Sequence, residues 1–296
     1  MCIEVQNYIF GIGDHEVIID GKKISEEILE EVRLEVLSIK ENHNIVPGLA
    51  VIIVGDDPAS RIYVNNKKKA CSKVGMYSQE YSLPENTSQE NLLKLIEKLN
   101  SDKNIHGILT QLPLPKHIDE KAVIEAICPE KDVDCFHPTN VGRLLTGNAY
   151  VLPCTPAGII EALEHEKIDI SSKHCVVVGR SNIVGKPIAL LLLQKNATVT
   201  ICHSKTSNLK DICMQADIIV CAVGKANFIS KEMLKNDVVV VDVGINRLPN
   251  GKICGDVDFQ DVEPIASYIT PVPGGVGPLT ISMLIKNVLE CFKKIK

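Results

Sequence analysis

The sequence lacks tryptophan, and its aromatic residues together make up only 4% of 296 residues. Proteins that stack on single-stranded nucleic acid need aromatic side chains, and this chain has few residues that could bind in this way. The chain also lacks a basic excess: its formal net charge is −5, which argues against a general nucleic-acid binder or a protein of anionic membrane surfaces. No apolar run approaches the length of a membrane span, so we expect no transmembrane segment.

Two further absences concern location and metal binding. Residues 1–16 lack the basic segment, apolar core and small-residue cleavage site of a secretory signal, and we assign them no function. None of the 11 cysteines forms a C-x-x-C pair, and several lie inside apolar runs. A metal site or a set of disulfides is the alternative, but we expect plain buried thiols, no metal, and a reducing cytoplasm.

The second half of the chain alternates short apolar segments with helical patterns. Strands are predicted over 176–178, 199–201, 218–222 and 238–241. Strands of this kind, buried on both faces, belong to parallel sheets, and their alternation with helices is typical of a doubly wound α/β fold. The first half is more mixed, so we place a domain boundary near residue 150.

The patterns of the first half also predict individual elements. Apolar residues at every fourth position predict an amphipathic helix that begins with Ser25 as its cap. Strands are predicted over 49–54 and 105–109, with a helix over 60–74 between them. Thr155 is predicted to cap a further helix, because a proline follows it.

A strand–turn–helix unit forms the centre of the second half. Its turn has the spacing Gly-x-Ser-x-x-x-Gly, with Gly179, Ser181 and Gly185, and Pro187 stands near the start of the helix. Free N–H groups at a helix N-terminus favour a phosphate, although an ordinary βα turn would have the same pattern. The run 271–278, which includes Gly274 and Gly275, is a second glycine-rich turn directly before a predicted helix over 279–294. Glycines there allow a close approach of the backbone to a ligand.

The strand that follows the Gly179 turn indicates which nucleotide binds. An NAD site usually has Asp or Glu at the end of this strand, where it holds the ribose 2′-hydroxyl. This chain has His203-Ser204-Lys205-Thr206 instead, and Arg180 stands in the turn itself. Cations and hydroxyls can bind a 2′-phosphate, whereas a carboxylate would repel it. The sequence therefore favours NADP over NAD.

Three segments of the first half contain candidate catalytic groups. Tyr63 and Lys67 are four residues apart and share one helix face. A lysine that is crowded by cations and partly removed from water can act as a base, although a solvated basic face is the alternative, which we adopt for Lys68 and Lys73. Gln111 follows a predicted strand, where ligands of α/β sheets bind, or it satisfies loop backbone groups.

The segment 129–134 alternates carboxylates at positions 132 and 134. A surface turn is the default interpretation of such a charged stretch. The competing interpretation is that one carboxylate faces a cleft and accepts hydrogen bonds from a ligand with paired N–H donors.

Taken together and in order, these motifs closely resemble the bifunctional methylenetetrahydrofolate dehydrogenase/methenyltetrahydrofolate cyclohydrolase family. The matching segments are YVNNKKK (63–69), QLPLP (111–115), PEKDVD (129–134), PCTP (153–156), VGRS (178–181) with VG (184–185), CHSKT (202–206) and PVPGGVGP (271–278). Any one of them could occur by chance, but the ordered set is highly specific. The resemblance extends from about residue 18 to the C-terminus.

The resemblance implies two α/β domains with a cleft between them: a folate-binding catalytic domain over 1–150, joined by the last helix at about 279–296, and a Rossmann-like NADP-binding domain over 151–278. It also implies a homodimer through the nucleotide-binding domain. The implied chemistry is oxidation of 5,10-methylenetetrahydrofolate with NADP and hydrolysis to 10-formyltetrahydrofolate, in one-carbon metabolism and purine biosynthesis.

The same resemblance assigns roles to residues. In the family pattern Lys67 transfers protons, Gln111 orients it, and Tyr63 contacts the folate. The remaining implied substrate-binding residues are Asp134, Gly274 and Gly275, and the implied cofactor-binding residues are Gly179, Arg180, Ser181, Gly185, Ser204 and Ile245. Among these, Asp134 would bind the N–H edge of the pterin, and Arg180 and Ser204 would hold the 2′-phosphate.

One departure from the family pattern matters for function. The family has glycine after the second aspartate, and this chain has Cys135. If that position has a positive φ, cysteine costs about 1 kcal/mol there and shifts Asp134. A dehydrogenase with impaired cyclohydrolase activity is therefore an alternative, as is a non-catalytic NADP-binding module. An NADP-dependent hydroxy- or amino-acid dehydrogenase would need a His or Arg pair for its carbonyl substrate, which no matching motif supplies.

Overall fold

The computed structural model describes residues 17–296, so the predicted N-terminal extension lies outside the described residues. The helices are α1 (Gly21–His43), α2 (Pro58–Val74), α3 (Gln89–Ser101), α4 (Glu120–Ala126), α5 (Pro138–Leu145), α6 (Cys154–His165), α7 (Gly185–Gln194), α8 (Leu209–Cys213), α9 (Phe259–Val262) and α10 (Val276–Ile295). The strands are β1 (Gly48–Val54), β2 (Tyr77–Leu83), β3 (Gly107–Thr110), β4 (His174–Val178), β5 (Thr198–Cys202), β6 (Ile218–Cys221), β7 (Val238–Asp242), β8 (Asn246–Arg247), β9 (Ile253–Cys254) and β10 (Ala266–Ile269).

The first sheet has three parallel strands in the order β2-β1-β3. Every residue of the central strand β1 is buried, because helices cover both faces of the sheet. One alternating set of its side chains, at 49, 51 and 53, packs with α1, α2 and α10, and the other set, at 50, 52 and 54, packs with α3 and α4. The sequence patterns did not predict β2, whose polar residues lie half-exposed at the edge of the sheet.

The second sheet has five parallel strands in the order β10-β7-β6-β4-β5, which confirms the predicted doubly wound α/β architecture. The first of these strands in the chain, β4, has β5 on one side and β6 on the other. The order therefore reverses between β4 and β6, and a switch point of this kind is where α/β folds usually bind ligands. The turns after β4 and β6 meet at this crevice.

The prediction that all these strands are buried on both sides was wrong for β5. This strand is at the edge of the sheet, and Ile201 within it is 42% exposed. Its alternating apolar and hydroxyl residues are suited to a half-exposed position, whereas the wholly valine and isoleucine strands lie in the interior.

Two predicted helix caps were also wrong, for one physical reason. Helix α1 is capped by Asp20, whose side chain accepts the N–H groups of Lys22 and Lys23, so Ser25 lies inside the helix. The Ser25 hydroxyl donates instead to the carbonyl of Pro278 at 3.0 Å. Thr155 likewise lies inside α6, and its hydroxyl is 2.9 Å from that of Thr280. Both hydroxyls bind α10 rather than the start of their own helix.

The C-terminal helix α10 packs against α1 and α6 and contributes to the core over the first sheet. Its buried Asn287 donates both side-chain N–H groups, to the carbonyl of Val133 at 2.8 Å and to that of Leu152 at 2.7 Å. Two carbonyls from distant parts of the chain are thereby satisfied by one amide. The exact domain boundaries stay a prediction.

Within residues 17–296, no helix is long and apolar enough to cross a membrane. The cysteines in this part of the chain all carry free thiols, and most of them are buried.

Candidate active site

Helix α2 presents Lys67 to the carboxyl end of β3. The helix begins at Pro58 after the cap Asp57, whose carboxylate accepts the N–H of Ser60 at 2.8 Å, and it ends at Gly75, which has a φ of 78°. The Lys67 ammonium Nζ donates to Gln111 Oε1 at 3.0 Å. Lys67 and Gln111, both chosen from the sequence, are therefore direct hydrogen-bond partners.

The orientation of the Gln111 amide is set by its own backbone neighbour. Gln111 Nε2 donates to the carbonyl of Leu112 at 2.8 Å, so the amide oxygen faces Lys67. The adjacent Lys68 is turned away from this pair, and its ammonium binds the Glu80 carboxylate at 2.8 Å.

The two aspartates of the 129–134 segment have different surroundings. Asp132 is buried and accepts the N–H groups of Phe136 and His137 and the Asn140 amide, so it holds its own loop together. Asp134 lies beside Lys67, and burial raises the pKa of its carboxyl to about 6, against the opposing effect of the Lys67 ammonium. Of the two carboxylates, Asp134 is the one available to a ligand.

Cys135 adopts the left-handed conformation, with a φ of 60°. The sequence analysis expected strain at Cys135 if its φ were positive, and the φ is positive. A non-glycine residue in this conformation lowers the stability of the fold by about 1–2 kcal/mol. The side chain is buried, and its thiol donates to the carbonyl of Val151 at 3.4 Å. The chain thus tolerates cysteine directly after Asp134.

A cavity of about 730 Å³ opens beside this group, between α1, α2, the segment 242–247 and the glycine-rich turn 271–278. Four predicted site residues line it, namely Tyr63, Ile245, Gly274 and Gly275. Lys67, Gln111 and Asp134 do not line it, although Asn66 and Lys69 on either side of Lys67 do. Tyr63 lines the cavity and lies one helical turn before Lys67 on α2.

The glycines of the 179–185 turn are required by close backbone contacts. A Cβ at Gly179, where φ is 142°, would lie 2.3 Å from the carbonyl oxygen of Ala222 after β6. A Cβ at Gly185 would lie 2.4 Å from the carbonyl oxygen of Gly179. The turn is thereby pressed against the switch point of the sheet, where its backbone can meet a phosphate.

Ser181 has a structural task in this turn. Its hydroxyl accepts the N–H groups of Val184 and Gly185, at 3.1 and 3.2 Å, and so caps the start of α7. Because the N–H groups of Val184 and Gly185 already bind Ser181, they are not available to a ligand. A nucleotide would instead contact other backbone groups and side chains of this turn.

Arg180 and Ser204 lie at the same edge of the second sheet. Val178 is paired with Cys202 across β4 and β5, and each of the two site residues comes two positions later. The turn after β5 is closed by Thr206, whose hydroxyl accepts the N–H of His203 at 2.8 Å, and Ser204 is exposed. Arg180 is also exposed and forms no ion pair with the described residues 17–296. These groups suit a ribose 2′-phosphate.

Two buried aspartates at the same sheet edge were missed from the sequence. Asp242 accepts the N–H groups of Gly244, Asp256 and Val257, and burial raises its pKa to about 6. Asp256, with no exposed surface, accepts the N–H groups of residues 223, 224 and 225. They hold the turns after β6 and β7. The sequence signal was a glycine within two residues of each aspartate, in the tripeptides at 242–244 and 255–257.

Comparison with known families identifies the chain. The catalytic-domain model of tetrahydrofolate dehydrogenase/cyclohydrolase matches residues 19–134, and the NAD(P)-binding-domain model of the same enzymes matches residues 153–296. The chain belongs to the tetrahydrofolate dehydrogenase/cyclohydrolase family. The second match includes α10, which in space packs against α1.

Other members of the tetrahydrofolate dehydrogenase/cyclohydrolase family match over nearly their whole length. The bifunctional protein FolD of Acetivibrio thermocellus is 60% identical over 276 residues, which are 93% of this chain and 96% of that protein. The crystal structure of the bifunctional FolD enzyme from Campylobacter jejuni has a TM-score of 0.92 and 49% identity, covering 94% of this chain and 99% of that one. The Trypanosoma brucei enzyme, solved with NADP cofactor and an inhibitor, has a TM-score of 0.90 and 40% identity, covering 94% and 98%.

The raised pKa of Asp134 predicts that Asp134→Asn stabilises the protein at neutral pH. The pKa of an aspartate in the unfolded chain is ~3.9, whereas that of folded Asp134 is about 6. As the pH rises from ~3.9 to about 6, ionisation of this carboxyl therefore lowers the free energy of unfolding. The cost of the charged carboxylate is absent at lower pH and complete above pH 6. We expect a gain on the order of 1–2 kcal/mol at pH 7.5 and a smaller gain at pH 5.

Thermal unfolding of both proteins at the two pH values measures this gain. Glu97→Gln, which removes an exposed carboxylate on α3, is the control and should show no such difference. An equal or larger gain at pH 5 for Asp134→Asn would contradict the burial argument.

Proposed function

We propose that this protein oxidises 5,10-methylenetetrahydrofolate with NADP and hydrolyses the methenyl product to 10-formyltetrahydrofolate, as a bifunctional enzyme of one-carbon metabolism. The observation that carries the proposal is the hydrogen bond of 3.0 Å between Lys67 Nζ and Gln111 Oε1, beside the Asp134 carboxylate. Membership of the tetrahydrofolate dehydrogenase/cyclohydrolase family supports the same pair of activities.

Lys67 is proposed as the proton-transfer group of the cyclohydrolase step. Water adds to the methenyl carbon with loss of one proton, and the resulting hydroxyl then passes its proton to N5 as the bond between that carbon and N5 breaks. Lys67 is proposed to mediate these proton transfers. Gln111 keeps Nζ directed at the reacting centre, since its own amide is fixed by the carbonyl of Leu112. The oxidation step needs no protein acid or base, so one pocket can serve both reactions.

Asp134 and Tyr63 are proposed to hold the substrate. The ionised Asp134 carboxylate accepts hydrogen bonds from the N–H edge of the pterin, and the phenol ring of Tyr63 contacts the part of the folate beyond it. Gly274 and Gly275 allow the 271–278 turn to approach the same molecule.

NADP fits the turn after β4. Its nicotinamide, when bound, supplies the hydride acceptor for the oxidation. Gly179 and Gly185 give the backbone approach, Ser181 keeps the turn in shape, and Arg180 and Ser204 bind the 2′-phosphate. Ile245 lines the cavity shared with Tyr63 and is proposed to contact the cofactor.

A dehydrogenase with impaired cyclohydrolase activity is the second candidate. The observation that favours it is the left-handed conformation of Cys135, directly after Asp134. The hydrogen-bonded pair of Lys67 and Gln111 favours the bifunctional enzyme, because a dehydrogenase alone has no use for a positioned base.

The deciding experiment follows absorbance while the purified protein acts on 5,10-methylenetetrahydrofolate with NADP. We expect reduced cofactor together with 10-formyl product in the wild-type protein. In Lys67→Met, hydrolysis of added methenyltetrahydrofolate should fall by about 10²–10⁴-fold, since general-base catalysis contributes that much.

NADP affinity separates a catalytic role of Lys67 from a structural one. Lys67→Met should bind NADP as the wild type does, and the control Lys68→Met should keep both activities because Lys68 is paired with Glu80. Loss of NADP binding in Lys67→Met would mean that Lys67 belongs to another site. Methenyl product that accumulates in the wild type would favour the second candidate.

Arg180→Ala is expected to weaken NADP about tenfold or more, while NAD affinity changes little. The guanidinium is proposed to contact only the 2′-phosphate, which NAD lacks. Fluorescence titration with both reduced nucleotides measures the effect, and Lys173→Ala, at the opposite end of β4, is the matched loss of one exposed cation. Equal weakening of both nucleotides would remove the 2′-phosphate role.

The expected homodimer through the nucleotide-binding domain has support in the edge strand β5. Its Ile201 is 42% exposed, and Leu193 of α7, which packs on β5, is 58% exposed. A second copy of this chain would cover these apolar groups. Ile201→Glu should then sediment as a monomer, whereas Leu34→Glu on α1 should not; a monomeric wild type would overturn the proposal.

The cytoplasmic location stays a prediction, supported by the free thiols.

A further inference from the structure

The hydroxyl of Thr110, the last residue of β3, lies in the protein interior. The residue is only 7% exposed, and its Oγ1 forms no hydrogen bond with any residue of the described range 17–296. A buried hydroxyl without a hydrogen bond destabilises a protein, so native structures nearly always supply one from a protein group or from an ordered water. Thr110 therefore indicates a partner that is not another side chain or backbone group.

The register of β3 places Thr110 beside the two aspartates of the 129–134 segment. Side chains two positions apart in a strand point to the same face, so Thr110 shares the face of Ile108, which packs in one core cluster with Val123 of α4. Asp132 forms a parallel β-bridge with Ile108. Two residues farther along each segment come Thr110 and Asp134. The hydroxyl and the substrate-binding carboxylate are therefore neighbours across this pairing.

A small cavity joins Thr110 to both aspartates. Its volume is about 10 Å³, and its lining includes Thr110, Asp132 and Asp134. These three are the polar side chains among its described lining residues, and the others are apolar groups of β3, α4 and the adjoining loops. One water molecule needs a space of roughly 10–15 Å³ and two to four polar partners. The cavity thus has the size and the chemical groups for a single water.

The donors and acceptors of these groups complement a water molecule. The hydroxyl of Thr110 can donate, whereas the ionised carboxylates can only accept. Asp132 Oδ1 accepts one N–H group, that of Phe136 at 3.2 Å, and so keeps a free lone pair. Within residues 17–296 the Asp134 carboxylate accepts only from the Cys154 thiol, at a long 4.0 Å. A water that accepts from Thr110 can therefore donate one hydrogen atom to each aspartate.

The charges around Asp134 make such a donor valuable. The Lys67 ammonium on α2 favours the ionised carboxylate, whereas burial and the Asp132 carboxylate oppose it and raise the pKa of Asp134 to about 6. The neighbouring thiols of Cys135 and Cys154 add no charge, because burial raises the pKa of both. A water that donates to both aspartates stabilises their ionised forms, since hydrogen bonds to a charged group favour it.

We propose that Thr110, Asp132 and Asp134 bind one buried water molecule, and that this water holds the Asp134 carboxylate ready for the substrate. Thr110 is a positioning residue, because it acts on the substrate only through the water and Asp134. The role in substrate binding rests on the proposed function, which takes Asp134 to bind the pterin. The water site itself does not depend on that function.

The first test replaces Thr110 by valine and follows the KM for 5,10-methylenetetrahydrofolate as a function of pH. Loss of the water raises the pKa of Asp134, so the ionised carboxylate that binds the pterin is lost at a higher pH. We expect the KM of Thr110→Val to be about two- to fivefold above that of the wild type at pH 6 and nearly equal to it at pH 8. The kcat at saturating substrate should change by less than about twofold, because the reacting groups are intact.

Two variants control for a merely structural effect. Thr110→Ser keeps the hydroxyl and should restore the KM of the wild type at both pH values. Thr198→Val makes the same replacement at an exposed position of β5, in the other sheet, and should also leave the KM unchanged. An equal rise of the KM at pH 6 and pH 8 in Thr110→Val would overturn the role of the water in holding the ionised carboxylate.

Crystal structures of the wild type and of Thr110→Val test the water site without reference to activity. We expect a water in the wild type within about 3 Å of Thr110 Oγ1 and of a carboxylate oxygen of each aspartate, and its loss in the variant. A wild-type crystal without that water would overturn the site.

Thermal unfolding at pH 7.5 gives an independent answer. If the Thr110 hydroxyl had no partner, valine would remove a buried unsatisfied group and raise the melting temperature. A bound water predicts the opposite, a melting temperature lower by about 1–3 °C in Thr110→Val, because two buried carboxylates lose a shared donor. A higher melting temperature would overturn the site. Failure of the wild type to oxidise 5,10-methylenetetrahydrofolate would refute the proposed function, and the role in substrate binding with it, while the crystal and the melting temperature would still decide the water site.

Discussion

The side-chain amide of Asn287 connects the far end of the chain to the segment that carries Asp134. Its two N–H groups satisfy the carbonyls of Val133 and Leu152 in a position that is only 3% exposed. A buried carbonyl without a donor costs about 1–3 kcal/mol, so α10 cannot leave its place without a large loss of stability. The location of the candidate substrate-binding carboxylate thus depends on the last helix of the protein.

The two parallel sheets serve the two halves of the proposed reaction in the same physical way. In each sheet the strands end in turns that carry candidate site residues at one edge, with Gln111 after β3 and Arg180 after β4. The parallel arrangement brings residues from separate turns together, as with Arg180 and Ser204. The cavity beside Tyr63 is lined from both halves, which suits a reaction between a large substrate and a nucleotide.

Burial of charge is concentrated where the proposed chemistry takes place. Asp134 carries a pKa raised to about 6, and Asp242 has a similar shift although it accepts three backbone N–H groups. Asp242 and Asp256 fix the turns at the switch point, whereas Asp134 lacks such a set of donors. A carboxylate that is partly withdrawn from water and incompletely satisfied is suited to bind a ligand with N–H groups.

Much of the fold and most of the candidate site could be predicted from the sequence, because they depend on local patterns. Apolar periodicity predicted the strands and helices of the second half, and the absence of a carboxylate after β5 indicated NADP. Only the tertiary structure distinguished Asp132 from Asp134, turned the hydroxyls of Ser25 and Thr155 toward α10, and brought Thr110 into one small cavity with the two aspartates. A local pattern determines which backbone conformation a segment adopts, but the partner of a side chain comes from residues far away in the chain.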